Sequence, residues 1–159
     1  MIKTVKIKLR TVQHIRLPAV NDDGLLPEET EDPAPFITEI ESEGEFEYGG
    51  GIINLTYSES EATGIENCLT TLSFTGDDPG CVTLYRTGEI KTVLIFRTGQ
   101  RYISVYETEF GSFEVGIYTE RCENGITEDG GELSVSYSVE IRGYEAEHTE
   151  LYMKVEVQK

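Results

Sequence analysis

The dominant feature of the chain is an alternation of polar and apolar residues with a period of two. Residues 37–50, ITEIESEGEFEYGG, place five glutamates on one face and Thr38, Ile40, Ser42, Gly44, Phe46 and Tyr48 on the other. In a helix, glutamates at this spacing would scatter around the axis, whereas in a β-strand they all point to the same side. The segment is therefore predicted to be a strand with one face in water and the other in a core.

The same alternation recurs along the chain. It is found in residues 132–143, ELSVSYSVEIRG, in residues 150–158, ELYMKVEVQ, and near the start, where Val5, Ile7 and Leu9 alternate with Lys6, Lys8 and Arg10. Glycine-rich turn sequences such as YGGGI, TGDDPG and CENGITEDGG separate these runs. We count about ten strands in this way and find no helical periodicity longer than about two turns.

About ten short antiparallel strands, each with one wet face, need closure or a second sheet to protect their edges. We expect an all-β fold, a single antiparallel up-and-down meander barrel of about 8–10 strands. A two-sheet β-sandwich is the alternative. A chain of 159 residues fits one domain. Residues 17–35, LPAVNDDGLLPEETEDPAP, interrupt the alternation and are expected to form a long acidic, proline-rich loop between the first two strands.

The tripeptide Arg-Thr-Gly occurs twice, at residues 86–88 and 97–99. Each lies between two predicted strands, where Gly88 and Gly99 can supply the positive φ that tight hairpin turns need. Successive turns of a meander lie at opposite ends, so the two tripeptides cannot form one anion site. No helix is predicted after either, which also excludes a phosphate-binding loop.

The charge of the chain restricts its partners. The net charge is −17 and the isoelectric point is about 4.4, which disfavours nucleic acids and anionic membranes. No Lys or Arg occurs between Leu17 and Tyr85. This acidity indicates either a solvated surface or a surface that meets a basic protein. The first residues alternate Lys and Arg with apolar residues, unlike the apolar segment of a signal peptide, and we expect a cytoplasmic protein.

Motifs for catalysis, metals or cofactors are not recognisable. The three cysteines contain no Cys-x-x-Cys, and His14 and His148 are far from them in sequence, so no zinc site and no cofactor is expected. NDDGLLPEETED lacks the spacing of a calcium loop. Neither histidine is accompanied by a Gly-x-Ser-x-Gly elbow. An enzyme is therefore the least favoured class, and three reduced thiols are expected.

Four segments carry a resemblance to a known family. They are INLTYSESEATGIENCLTTLSF (53–74), VTLYRTGE (82–89), LIFRTGQRYISVYETEFGSFEVGIYT (94–119) and GGELSVSYSVEIRG (130–143). In this order and spacing the chain resembles the YwiB-like family of bacterial β-barrel proteins, whose function is unknown. The resemblance implies a calycin-like or lipocalin-like barrel and implies no activity.

Barrels of this size often hold a ligand among their inner side chains, so the inward polar residues are the candidate site. The alternation places six of them inside: Tyr57, Glu59, Arg86, Tyr106, Thr108 and Tyr137. Arg86 and Glu59 would form a buried ion pair. Alternatively, Arg86 lies opposite Glu89 at a rim and faces water. The inward set could also be a network that closes the barrel without a ligand.

Two functions are consistent with these predictions. The first is a small cytoplasmic barrel that binds a small amphipathic or anionic molecule in its interior, with Arg86 as the charge partner. The second is a protein-interaction or structural module, with a filled barrel and an acidic surface that contacts a basic protein. A cavity lined by the six residues would favour the first, and a filled interior would favour the second.

Overall fold

The computed structural model describes residues 2–15, 34–58, 68–142 and 144–158, and within them the regular secondary structure is entirely β. There are ten strands: β1 (Ile2–Ile15), β2 (Phe36–Gly49), β3 (Ile52–Ser58), β4 (Cys68–Thr75), β5 (Asp78–Gly88), β6 (Thr92–Arg97), β7 (Arg101–Thr108), β8 (Gly111–Asn124), β9 (Gly130–Ile141) and β10 (Tyr144–Val157). They form one antiparallel sheet in the order β6-β5-β4-β3-β2-β1-β10-β9-β8-β7. The predicted meander is confirmed, and the two-sheet sandwich is not formed.

The sheet closes almost completely into a barrel, because its two edge strands, β6 and β7, lie next to each other. Among the described residues, a single bridge crosses this line, from Lys91, just before β6, to Glu107 of β7. At the other end of β6, Thr119 of β8 makes two backbone hydrogen bonds to the following turn, at 2.8 Å to Gly99 and 3.1 Å to Gln100. We call the interrupted line between β6 and β7 the seam.

The connections between strands alternate between the two ends of the barrel. We call the end where β1, β3, β5, β7 and β9 finish the upper end, and the opposite end the lower end. Gly88 lies at the upper end and Gly99 at the lower end, and both have a positive φ, of 125° and 77°. The two Arg-Thr-Gly tripeptides are therefore separate, as predicted, and the second forms a turn. The prediction of a turn at residues 86–88 is wrong, because these residues belong to β5, where Thr87 and Gly88 pair with Leu69 and Cys68.

The interior follows the predicted alternation. On β2 the five glutamates are exposed, while Thr38, Gly44 and Phe46 are buried. The apolar inner residues form one continuous cluster, in which Phe46, Leu55, Phe96 and Ile117 are among the largest fully buried side chains. The middle of the barrel is thus packed and not hollow.

The predicted acidic loop, up to residue 33, lies outside the described residues. In the part of the chain that the structure describes, no helix is long and apolar enough to cross a membrane.

All three cysteines are free. Cys68 pairs in register with Gly88, so seven residues of β5, or about 23 Å, separate it from Cys81. Burial raises the pKa of the Cys122 thiol to about 11, with a smaller contribution from Cys81, which keeps Cys122 protonated at neutral pH. We therefore expect three thiols to titrate in the denatured, unreduced protein, and the half-buried Cys81 to react before Cys122 in the native protein. Fewer than three thiols would contradict this prediction.

Candidate functional site

A row of polar side chains crosses the inner face of the barrel from β3 to β6. Tyr57 lies opposite Thr70, Thr70 opposite Arg86, and Arg86 opposite Thr92. Tyr57, Thr70 and Thr92 are buried, Arg86 is half-buried, and the Nε atom of Arg86 is itself buried. Because Arg86 alternates with the buried Val82 and Leu84 and pairs with Thr92, it faces the interior and does not lie opposite Glu89.

Two tyrosines reach the same interior from the other side of the seam. Tyr106, on β7, is half-buried and packs against the apolar cluster. Tyr137, on β9, is 8% exposed, and its ring centroid lies 4.8 Å from that of Phe96. The tyrosines therefore lie between the packed middle of the barrel and the polar row.

A chain of hydrogen bonds extends from Tyr137 to the first strand. The Tyr137 hydroxyl is hydrogen-bonded to Thr149. The Thr149 hydroxyl donates to Glu147 Oε1 at 2.6 Å, and Gln13 Nε2 donates to the same oxygen at 3.0 Å. The bond to Thr149 lowers the pKa of Tyr137, against the larger effect of burial.

The charged and phenolic groups of this interior influence one another. Burial is the main cause that raises the pKa of both Tyr106 and Tyr137, and for Tyr137 the next cause is the neighbouring Tyr106. The positive charge of Arg86 lowers both pKa values, and the negative charge of Glu147 raises both. At neutral pH the two tyrosines are therefore uncharged hydrogen-bond donors. We call Tyr57, Arg86, Tyr106, Tyr137 and Glu147 the polar interior.

The raised pKa values of the two tyrosines predict a loss of stability at alkaline pH. In the unfolded chain tyrosine ionises near pH 10, whereas Tyr106 and Tyr137 keep their protons in the fold. Their stabilising contribution is full below about pH 10 and is lost as the pH rises, by about 1.4 kcal/mol per pH unit for each tyrosine. Urea denaturation at several pH values measures this slope.

The matched comparison is between Tyr137→Phe and Tyr85→Phe, which changes an exposed tyrosine. Tyr137→Phe should reduce the alkaline loss of stability relative to the wild type, and Tyr85→Phe should leave it in place. Equal slopes in the wild type and Tyr137→Phe would show that Tyr137 ionises as freely in the fold as in the unfolded chain.

Two buried hydroxyls border the polar interior. Among the described residues, Thr92 Oγ1 and Thr119 Oγ1 are buried and have no hydrogen-bond partner. Thr92 pairs with Arg86 across β5 and β6, and Thr119 pairs with Tyr137 across β8 and β9. A buried polar atom without a partner costs about 1–3 kcal/mol, so both positions favour a polar guest.

The six residues predicted for the site have different positions. Tyr57, Arg86, Tyr106 and Tyr137 lie in the interior, as described above. Thr108 is half-buried, and its hydroxyl donates to the Gly111 carbonyl at 3.0 Å and accepts from the Phe110 amide at 3.2 Å, so it belongs to the β7–β8 hairpin. Glu59 lies outside the described residues. Gln13, Glu147 and Thr149 were missed, although the period-two inner face of residues 150–158 extends back to Thr149 and Glu147.

The surface carries two grooves. One, of about 1230 Å³, crosses the outer face of β2, β1, β10 and β9, and its walls include Lys8, Arg10, Glu39 and Lys154. The other, of about 680 Å³, lies at the lower end, and its lining is largely apolar and contains Glu128 but no basic side chain. None of the five predicted residues that the structure describes lines either groove.

A second polar cluster lies on the outer face of β9 and β10 and was also missed. His148 Nε2 lies 3.2 Å from Ser136 Oγ, and His148 Nδ1 lies 3.2 Å from Ser138 Oγ. Ser138 donates a hydrogen bond of 2.8 Å to Glu145. The sequence places Ser136 and Ser138 on one strand face, but only the strand register brings His148 opposite Ser138. Across residues 2–15, 34–58, 68–142 and 144–158, no group of three or more His, Cys, Asp or Glu is placed to hold a metal ion.

The fold defines a class, the nearly closed ten-stranded meander barrel, here with a packed middle and a polar interior. A family model described as "Domain of unknown function (DUF1934)" matches residues 28–153, and the chain belongs to this family. The crystal structure of the ywiB protein from Bacillus subtilis is similar with a TM-score of 0.73 at 18% sequence identity. The match covers 99% of this chain and 94% of that chain, so the predicted YwiB-like barrel is confirmed. No curated protein matches the chain.

Proposed function

We propose that the protein binds a small amphipathic or anionic molecule in the polar interior and does not transform it. The observation that carries this proposal is the gathering of Arg86 and two uncharged tyrosines beside the seam, where the hydrogen-bonded wall of the barrel is interrupted. Elsewhere the described inner face is mostly apolar and closely packed.

The chemistry of these side chains selects an anionic group with a short apolar part. The Arg86 guanidinium can donate two parallel hydrogen bonds to a carboxylate or a phosphate. The hydroxyls of Thr92 and Thr119 supply further polar partners, and Phe96 offers an apolar surface next to Tyr137. The negative charge of Glu147 disfavours an anionic guest, and the positive charge of Arg86 acts in the opposite direction at both tyrosines.

The packed middle of the barrel limits the size of the guest, since no long chain fits among side chains such as Leu94 and Phe96 without displacing them. The lower groove is a poorer site for an anion, because Glu128 is the charged residue of its lining. The free thiols agree with a reducing compartment, and we place the protein in the cytoplasm.

A binding experiment with matched variants tests the proposal. Native mass spectrometry of the freshly purified chain detects any co-purified small molecule, and calorimetry follows binding of short-chain carboxylates and phosphate monoesters. Arg86→Met should weaken binding by about 10–100-fold, the loss expected for a hydrogen bond to a charged group. The control is Arg10→Met, an outer-face arginine that pairs with Glu39 at 3.2 Å. Equal affinity in the two variants would refute the site.

Tyr106→Phe provides a milder second variant, because it removes one hydroxyl and keeps the ring. Its affinity for the same carboxylate should fall by about 5–10-fold, the value of one neutral hydrogen bond. An unchanged affinity would show that Tyr106 does not contact the guest.

The second candidate function is a protein-interaction module, which is favoured by the filled middle of the barrel and by the exposed glutamates of β2. Among the described residues, Glu39 and Glu41 pair with Arg10 and Lys6, at 3.2 and 3.6 Å, while Glu43, Glu45 and Glu47 of the same row have no ion pair. A basic protein would bind such a surface through charge, and increasing salt would release it. Retention of a partner by Arg86→Met and its loss when Glu43, Glu45 and Glu47 are changed to glutamine would identify this function.

A further inference from the structure

We propose that Ser136 is a nucleophile activated by His148, which gives the outer face of β9 and β10 a second site that accepts the acyl group of a small ester. The site is separate from the polar interior, because Ser136 lies on the opposite face of β9 from Tyr137. It depends neither on Arg86 nor on any guest inside the barrel.

The hydrogen bonds around His148 determine which of its nitrogens carries the proton. Ser138 directs its own proton to Glu145 at 2.8 Å, so its oxygen accepts from the Nδ1–H of His148 at 3.2 Å. Nε2 is then the unprotonated nitrogen, and it accepts from the Ser136 hydroxyl at 3.2 Å. A base within hydrogen-bond reach of a hydroxyl, and itself oriented by a third group, is the arrangement that activates a serine.

Two carboxylates lie close to the ring of His148. The side chain is 15% exposed, and Nδ1 lies 3.8 Å from Glu145 Oε1 and 3.9 Å from Glu120 Oε1. Two carboxylates at this distance stabilise an imidazolium. Ser138 and Glu145 act through His148 and are positioning residues.

Arg121 supplies a donor beside the nucleophile. It lies directly opposite Ser136 across β8 and β9, and its Nη2 donates to Ser134 Oγ at 3.0 Å. Its Nε is buried and has no hydrogen-bond partner among the described residues. A fixed N–H next to the attacked carbonyl can stabilise the negative oxygen of a tetrahedral intermediate.

The reaction is an ordinary acyl transfer. Ser136 Oγ bonds to the carbonyl carbon of the ester while its proton moves to His148 Nε2, and the carbonyl oxygen becomes negative near Arg121 Nε. The intermediate collapses, the ester C–O bond breaks, and His148 returns the proton to the leaving alcohol. Water then attacks acyl-Ser136 with His148 as base, releases the carboxylic acid and restores the serine. Ser136 is 6% exposed, so a small acyl group reacts and a long one does not.

The rate should rise with pH until His148 is uncharged, since only the neutral imidazole can take the proton. The charged and titratable groups that face His148 from the neighbouring strands are Glu120 and Arg121 on β8, Glu140 on β9, Glu145 and Glu150 on β10, and His14 on β1. Glu145 orients His148 through Ser138, so Glu145→Gln should lower the rate of acetylation.

The test is acylation of the full native chain by p-nitrophenyl acetate, stopped with acid before acyl-Ser136 is hydrolysed, with the modified residue located by peptide mass spectrometry. We expect a single acetyl group on Ser136, a rate about 100-fold lower in His148→Gln, as for loss of a general base, and slower reaction with a long-chain ester. Ser73→Ala, an outer-face serine of β4, is the matched control and should react like the wild type.

Three results would overturn the proposal. They are acetylation of other residues at the same rate in the wild type and His148→Gln, absence of acetylation of the native chain, and a rate of acetylation that Glu145→Gln leaves unchanged. The pH profile of the wild type alone decides the case if His148→Gln does not fold, because acetylation of Ser136 that does not depend on pH contradicts a histidine base.

Discussion

Replacement of Gly44 by valine is expected to destabilise the protein by about 3 kcal/mol or more, at the upper end of what overpacking costs. Gly44 lies on the inner face of β2, where a Cβ would stand 2.6 Å from Ile7 Cδ1 and 2.7 Å from the Thr56 carbonyl oxygen. The Ile7 side chain can rotate away, but the Thr56 oxygen belongs to the backbone of β3 and cannot. Urea denaturation of the purified variant measures the loss.

The matched control is Gly49→Val, at the end of the same strand. An added Cβ there meets nothing within 4 Å, and neither glycine has a positive φ. We expect Gly49→Val to change the free energy of unfolding by no more than about 0.5 kcal/mol. A cost for Gly44→Val within 1 kcal/mol of that for Gly49→Val would mean that β2 and β3 can separate at this point without loss.

The position of Gly44 explains how the barrel curves. β2 pairs with β1 from residue 36 to residue 47, and among the described residues its pairing with β3 extends from Gly44, opposite Tyr57, to Gly49, opposite Ile52. A glycine within a strand often marks a bend or a close approach of two backbones. Here Gly44 lets the backbone of β3 approach the inner face of β2 where the sheet curves.

Much of the fold could be predicted because the alternation of polar and apolar residues identifies the strands and their inner faces. Glutamates at every second position from Glu39 to Glu47 leave one possible inner face for β2, and a shift of one residue would bury all five. The end of a strand carries no such signal. Strand β6 was expected to begin directly after Gly88 but begins at Thr92, because Glu89 and Ile90 continue the alternation without joining the ladder.

The candidate site was predicted in part, for a related reason. Tyr57, Arg86, Tyr106 and Tyr137 continue stripes of apolar residues, so the period of two placed them inside. Glu147 and Gln13 also lie on inner faces. In the sequence, however, a polar residue at an inner position near a strand end cannot be distinguished from the end of the strand. The irregular register between Glu145 and Glu147 further obscures the alternation there.

The outer cluster could not be found by any periodicity. Ser136 and Ser138 fall on the polar face of β9, yet both are only 6% exposed. His148 of β10 and Arg121 of β8 cover them. Arg121 directly follows an irregularity in the register of β8 with β9, between Thr119 and Arg121. Which side chains meet across two neighbouring strands depends on the register of those strands. The sequence alone does not show the register that brings His148 and Arg121 next to the two serines.

If Arg86 pairs with Glu59 as predicted from the sequence, its replacement by alanine is expected to cost about 3–5 kcal/mol, as for removal of one partner of a buried ion pair. Its Nε is buried, and Thr70 and Thr92 flank it on the inner face. Without it Tyr106 and Tyr137 lose the positive charge that acts on both, and Glu59, the partner predicted from the sequence, would be left unpaired in such a pair. The control is Arg10→Ala, on the outer face beside Glu39, which should cost about 0–1 kcal/mol.

A double-mutant cycle separates an Arg86–Glu59 pair from an arginine that acts alone. Changing Arg86 to methionine and Glu59 to leucine together should cost much less than the sum of the two single changes, because an apolar pair needs no desolvation. A coupling energy within about 0.5 kcal/mol of zero would remove Glu59 from the interior pair.

The ionisation of Tyr106 tests the charge of Arg86 independently of Glu59. Since Arg86 lowers the pKa of Tyr106, its loss should move the ionisation of that phenol to higher pH, and an unchanged titration would place Arg86 too far from Tyr106 to share a guest with it.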